Sequence, residues 1–388
     1  MKLLDLPFLA DITAIRRDIH AHPELAFEES RTADVVARTL ESYGVEVHRG
    51  LAGTGVVGVI RGAQGNSDRM VGLRADMDAL PMPELNEFPH RSRNQGKMHA
   101  CGHDGHTAML LGAARQLAAH RDFDGTVILI FQPAEEGEGG ARVMIEQGLF
   151  EQFPVEAVFG LHNWPGLPVG QMAVMPGPVM AGTCGLEILI RGHGCHAAMP
   201  NQGVDTILVG AQIVQALQSV VSRNLHPCDA GVVSVTQFHA GDAWNVIPED
   251  AVLRGTIRTF KPEVQSLVEE RIQAICTGIA ATYGAQIEVR FEQRYPPTVN
   301  SPAESRFCQE VAAHLLGEAH VVKDALASMG AEDFAYMLLE KPGCYVWLGN
   351  GPGEGGCTLH NPHYDFNDDI TAIGISYWVQ LVHAFFAE

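Results

Sequence analysis

The chain has 388 residues, 46% hydrophobic and 19% charged, with 26 basic against 46 acidic side chains and a formal charge of -20. Such proportions fit an ordinary globular protein of two or three domains whose core needs no disulfide staples. The acidic balance repels nucleic acid and anionic membranes, which excludes both as expected partners.

The N-terminal stretch MKLLDLPFLADITAIRRDIH breaks its apolar run at Asp5, Pro7 and Asp11, so no secretory signal is expected. No uninterrupted apolar stretch approaches the roughly 18 residues of a membrane span. The eight cysteines lie far apart without a CxxC pair, which reads as reduced thiols and a cytoplasmic protein. Up to about residue 180, helical patterns over 11–20, 30–43 and 105–120 alternate with apolar strands over 55–60, 70–74, 126–131 and 157–161. That alternation implies an α/β domain with a mostly parallel central sheet and helices on both faces. From 185 the rhythm changes to a strand over 185–191, a helix over 204–223, strands over 232–239 and 251–259, a helix over 262–283 opened by proline, and a strand over 285–291. The order βαββαβ is that of a ferredoxin-like unit. Pro176, Gly177 and Pro178 mark its entrance, and Tyr295, Pro296 and Pro297 its exit. A helix over 301–316, a strand over 344–348 and a closing helix then resume the α/β pattern, and Gly349 to Gly356 reads as a loop. The simplest organisation is one α/β domain in two parts, 1–180 and 295–388, interrupted by an inserted unit over 181–294. Three consecutive domains are the alternative.

The segment His99-Ala-Cys101-Gly-His103-Asp104-Gly-His106 gathers thiol and imidazole donors between glycines that let the backbone turn. Thiolate and imidazole suit zinc, cobalt, nickel or manganese better than magnesium or calcium. Glu135 and Glu136 follow the strand over 126–131, at the carboxyl edge where open α/β sheets bind ligands. Adjacent carboxylates cannot easily address one atom, so one would hold a metal while the other takes a proton from water. His162 lies just past the strand over 157–161, and His360 follows the strand ending near Leu348. Asp76 and Asp78, beyond the strand over 70–74, would orient a histidine ligand or the water. Cys101, His103, Glu136, His162 and His360 exceed what one tetrahedral zinc accepts, and suit two metals sharing a ligand. A cysteine-nucleophile amidase using Cys101 is the rival enzyme, and a non-enzymatic metal or ligand binder the rival class.

These motifs together resemble the M20 metallopeptidase family, in its amidohydrolase branch of hippurate, N-acyl-amino-acid and indole-acetyl-amino-acid hydrolases. The resemblance runs from His20-Ala-His-Pro-Glu-Leu through Arg74-Ala-Asp-Met-Asp, Gln132-Pro-Ala-Glu-Glu-Gly and Gly330-Ala-Glu-Asp-Phe to Phe366-Asn-Asp. It implies two divalent metal ions (Mn, Zn, Co or Ni) with Cys101 as bridging thiolate, Glu136 and His360 on one ion, His103 and His162 on the other, and Glu135 as general base. It also implies a lid that dimerises the protein, a tetramer being possible, and His196 as an oxyanion stabiliser. Asn245 and Arg258 match its substrate-binding positions. Cys195 and Asn201 depart from the family's lid motif. The expected reaction is hydrolysis of the amide of an N-acyl amino acid, with a dipeptide or an N-acetyl amino acid as the alternative substrate.

Overall fold

The run Thr126–Gln132, TVILIFQ, is buried at every position, as a strand can be only where both faces of its sheet are covered. In the computed structural model, which describes residues 1–65, 67–351 and 357–387, it is one of six principal strands of a sheet. These are β1 (Glu46–Leu51), β2 (Gly55–Arg61), β3 (Met70–Asp76), β4 (Thr126–Gln132), β5 (Ala157–Pro165) and β6 (Gly343–Gly351). Their order is β1-β2-β4-β3-β5-β6, continued by short strands at Met172–Ala173 and Val321–Val322. The centre, β4-β3-β5-β6, is parallel, and β1, β2 and Met172–Ala173 pair antiparallel.

The principal helices of this unit are α1 (Leu9–Ala21), α2 (Ser30–Ser42), α3 (His103–Ala119), α4 (Gly140–Glu146), α5 (Pro302–Leu316), α6 (Phe334–Glu340) and α7 (Thr371–Ala387). Strand alternation sends Val71, Leu73 and Ala75 of β3 into the core that Leu110 of α3 and Trp378 of α7 also enter. Arg74 consequently points to the opposite face, where its guanidinium lies 5.8 Å from the Phe334 ring of α6. The fold is thus α/β with helices on both faces. The segment Asp368–Ala387 is long and apolar enough to cross a membrane, but 67% of its most apolar window is buried within the fold.

Contacts divide the chain into a larger unit, Met1–Val179 with Val299–Leu326 and Asp333–Glu388, and a smaller one, Met180–Thr298 with Ala327–Glu332. The second piece of the smaller unit joins it through the Ala181 amide, which donates to the carbonyls of Ser328 and Gly330, both at 3.0 Å. In the smaller unit an antiparallel sheet runs Gly231–His239, Asp250–Thr259, Gly182–Arg191, Gln286–Gln293. Helices Thr206–Ser219 and Pro262–Tyr283 cover one face, closing a core of Ile188, Ile190, Ile213 and Ile272.

Two expectations need correction. The helix expected over 204–223 begins at Thr206, because the Asp205 side chain accepts the amides of Ile207 and Leu208, and it gives way after Ser219 to a π-helical turn, Val220–Asn224. Of the loop expected over 349–356, Gly349 to Gly351 continue β6, and 352–356 lie outside the described residues.

Candidate metal centre

The β3–β4 register places Asp76 opposite Gln132, and the pairing of Arg74 with Gly160 brings His162 level with Asp76. The ends of three adjacent parallel strands therefore bring chemistry to one edge. His162 lies inside β5 and not beyond it, since β5 runs on to Pro165. Likewise β6 runs past Leu348 to Gly351, so the strand ends nearer to His360 than the sequence suggests.

Cys101 sits on the turn that starts α3. Gly102, at φ +95°, makes that turn, and a Cβ there would meet Asn163 Oδ1 at 2.1 Å, so the position requires glycine. His103, the first residue of α3, points into the same space. Donor atoms of Cys101, His103 and His162 lie within 4.8 Å of one another, and so do those of Cys101, Glu136 and His360. The thiol belongs to both sets. Cys101 Sγ is 3.4 Å from His162 Nε2, and Glu136 Oε1 is 3.3 Å from His360 Nε2. His360 adopts φ +62° while its amide donates to Ala100 O at 2.8 Å.

The histidine tautomers follow from their partners. His103 Nδ1 faces the Asp78 carbonyl at 2.9 Å, and His162 Nδ1 faces the Asn163 carbonyl at 2.6 Å. A carbonyl only accepts, so each Nδ1 carries a proton and each Nε2 is the donor atom aimed at the shared space. Among the described residues His103 Nε2 is buried with no hydrogen-bond partner, its acidic neighbour Asp76 Oδ2 standing 3.7 Å away. Burial disfavours a charged His103, yet the Asp76 and Cys101 charges outweigh it and hold that ring well above its ordinary value. Hydrogen bonds to Cys101 and Glu136 push His360 up to about 10. Anionic and soft donors converging on rings that gather protons make a site a divalent cation fits. Burial, reinforced by Glu136, raises the Cys101 thiol, the opposite of what a nucleophilic cysteine needs.

Glu135 is buried, and its Oε1 accepts the Asp333 amide at 3.3 Å. Asp78 reaches both donor sets: Oδ1 lies 3.2 Å from His103 Nδ1, and Oδ2 accepts the Glu136 amide at 2.9 Å. Asp76 serves a different imidazole, with Oδ1 2.6 Å from His106 Nδ1, while its Oδ2 takes Arg74 Nη1 at 2.7 Å. Arg74 also donates to Asp333 at 3.0 Å and to Gln132 at 2.7 Å. Roles for His106, Arg74 and Asp333 were not assigned from sequence, although all three stand in motifs that stood out there.

The remaining residues belong to the smaller unit. His196 and Asn245 are exposed neighbours on a two-stranded ribbon: His196 pairs with Val246, and the Ala197 amide donates to Asn245 O at 2.9 Å. Arg258 is half-buried on the open sheet face, bound to the hydroxyls of Thr183 and Thr256.

The family model for peptidase family M20/M25/M40 matches residues 72–384. The chain is 42% identical over 380 residues to a hippurate hydrolase of Campylobacter jejuni, spanning 98% of this chain and 97% of that one. It is 40% identical to an N-acetylcysteine deacetylase of Bacillus subtilis, with 98% of each covered. Among solved structures, the Bacillus subtilis YXEP protein, described as a dinuclear metal binding peptidase from the M20 family, superimposes with a TM-score of 0.86 at 36% identity, covering 99% of each chain.

Proposed function

This chain belongs to peptidase family M20/M25/M40 and is a metal-dependent enzyme that hydrolyses amide bonds, and from that premise we propose that it cleaves N-acyl amino acids of the hippurate type into a carboxylic acid and a free amino acid. The membership of the Cys101 thiol in two donor sets carries this reading, together with the carboxylate of Glu135 beside them.

Cys101, His103 and His162 would hold one divalent ion, and Cys101, Glu136 and His360 the other. When bound, such a pair acidifies water and polarises the scissile carbonyl. Glu135 accepts the proton of the attacking water at Oε2 and returns it to the leaving nitrogen. The Asp333 amide at Oε1 holds that carboxylate in orientation. Asp78 holds the His103 ring and the Glu136 backbone. His196 donates to the carbonyl oxygen as negative charge develops, and Asn245 and Arg258 bind the substrate's polar end. Eight free cysteines support a reducing, cytoplasmic location, and the smaller unit is the proposed dimer surface.

The 40% identity to an N-acetylcysteine deacetylase favours a second reading, removal of small acetyl groups. Chelation followed by reactivation with manganese, zinc, cobalt or nickel, scored on hippurate, N-acetyl amino acids and dipeptides, decides between them. We expect activity to vanish on chelation, to return with metal and to be greatest on hippurate. Activity that survives chelation and dies on thiol alkylation would overturn the metal mechanism, and cleavage of dipeptides alone would overturn the substrate class.

A further inference from the structure

Glu29 occupies the N-cap of α2 but makes no side-chain hydrogen bond to that helix. Its carboxylate, fully buried, turns away and spans two distant segments. Oε1 accepts the amides of Phe27 at 3.1 Å and Ala134 at 2.9 Å, and Oε2 accepts the Thr54 hydroxyl at 2.6 Å. Both amides belong to non-glycine residues in the left-handed region, Phe27 at φ +61° and Ala134 at φ +57°. L residues disfavour that region, and it persists only where the surroundings enforce it. Ala134 immediately precedes Glu135. From the other side the Ala134 carbonyl accepts the Gly140 amide at 2.9 Å, and Asp78 holds the Glu136 amide.

We propose that Glu29 is a positioning residue for the reaction: it clamps the left-handed turn at Ala134 and thereby fixes where Glu135, the next residue, emerges beyond β4, while Asp78 separately holds the Glu136 amide. A carboxyl group suits the task because one of its oxygens takes two amides while the other takes the Thr54 hydroxyl, whether or not burial, which raises the group to about 7, leaves it charged. A residue serving only to start α2 would bond that helix's own first-turn amides, and Glu29 does not. The role rests on the reading of Glu135 as general base.

The test compares three variants of the metal-loaded enzyme with hippurate as probe. Glu29→Met keeps the volume and removes both acceptor oxygens; kcat should fall about 10–100-fold, as for other residues that orient a metal site, with KM and two bound metals unchanged. Glu29→Gln keeps an acceptor for the two amides and should restore most of that loss. Ala134→Gly, added to Glu29→Met, should also recover activity, because glycine takes φ +57° without enforcement. If Glu29→Met does not fold, Thr54→Val, which removes only the hydroxyl on Oε2, carries the same comparison at smaller amplitude. Parental kcat in Glu29→Met, or in Thr54→Val when that stands in for it, overturns the proposal. So does a loss accompanied by metal depletion, or one that neither glutamine nor Ala134→Gly relieves. Glu135→Gln separates the two readings: should it stay active, the general-base assignment fails; should it be inactive while Glu29→Met is normal, only the positioning role fails.

Discussion

Asp78→Ala offers the sharpest perturbation, because one buried carboxylate serves both halves of the centre. Its Oδ1 stands 3.2 Å from His103 Nδ1 and its Oδ2 takes the Glu136 amide at 2.9 Å. Groups that orient metal ligands typically contribute about 10–100-fold in affinity, or about 1.4–2.7 kcal/mol. The two halves should not lose equally. His103 Nδ1 keeps the Asp78 backbone carbonyl at 2.9 Å, so its tautomer and orientation survive the truncation. Among the described residues the Glu136 amide has no such second acceptor, and a partly buried amide left unsatisfied costs up to about 1–3 kcal/mol. Weakening should therefore concentrate on the ion that Glu136 and His360 would hold. Titration against a competing chelator, with metal counted by elemental analysis, should show one ion near parental affinity and the other weakened about 10–100-fold. Two ions with parental affinities, or equal loss of both, would refute the reasoning.

Other perturbations test separate links. Arg74→Met takes the guanidinium away from the buried carboxylates of Asp76 and Asp333, and denaturant unfolding should report about 3–5 kcal/mol of destabilisation; a change below about 1 kcal/mol would contradict the role of that network. For His20, burial opposes the charged ring, but Asp104 at 2.9 Å and Glu84 at 3.1 Å outweigh it and raise the group to about 9. Its stabilisation is thus complete below the ordinary histidine value of about 6.5 and is lost as pH rises through about 9. Tm should fall across that window in the parent and much less in His20→Gln; equal slopes would refute it. His196→Ala should keep its metals and lose about 10²–10³ in kcat, the usual cost of one oxyanion donor, and near-normal turnover would remove His196 from the mechanism.

Periodic burial made much of this fold legible before the structure. The strand Thr126–Gln132 is apolar throughout because both its faces are covered, and Gly182–Arg191 alternates buried and half-buried positions, so each pattern declares its surroundings. Glu46–Leu51 carried no such signal: it is an edge strand with no buried position. The short helix Phe334–Glu340 is too brief to establish a period. At the centre, residue chemistry and position at strand ends brought out Cys101, His103, Glu136, His162 and His360. Beyond the reading of Asp76 and Asp78 as orienters, what holds them was not legible. Glu29 meets Ala134 across 105 positions, and Asp333 meets Glu135 across 198. No local pattern marks a hydrogen bond between segments so far apart. Asp76 shows the same limit, since its attachment to His106 in preference to His103 depends on how β3 faces α3.

Crystals of the metal-loaded enzyme, measured at the absorption edge of the bound metal, test the shared thiol most directly. Anomalous density should show two ions, each bonded to Cys101 Sγ, one also to His103 and His162 and the other to Glu136 and His360. A lone ion, or a pair with neither in contact with that sulfur, would contradict the dinuclear centre proposed for this chain.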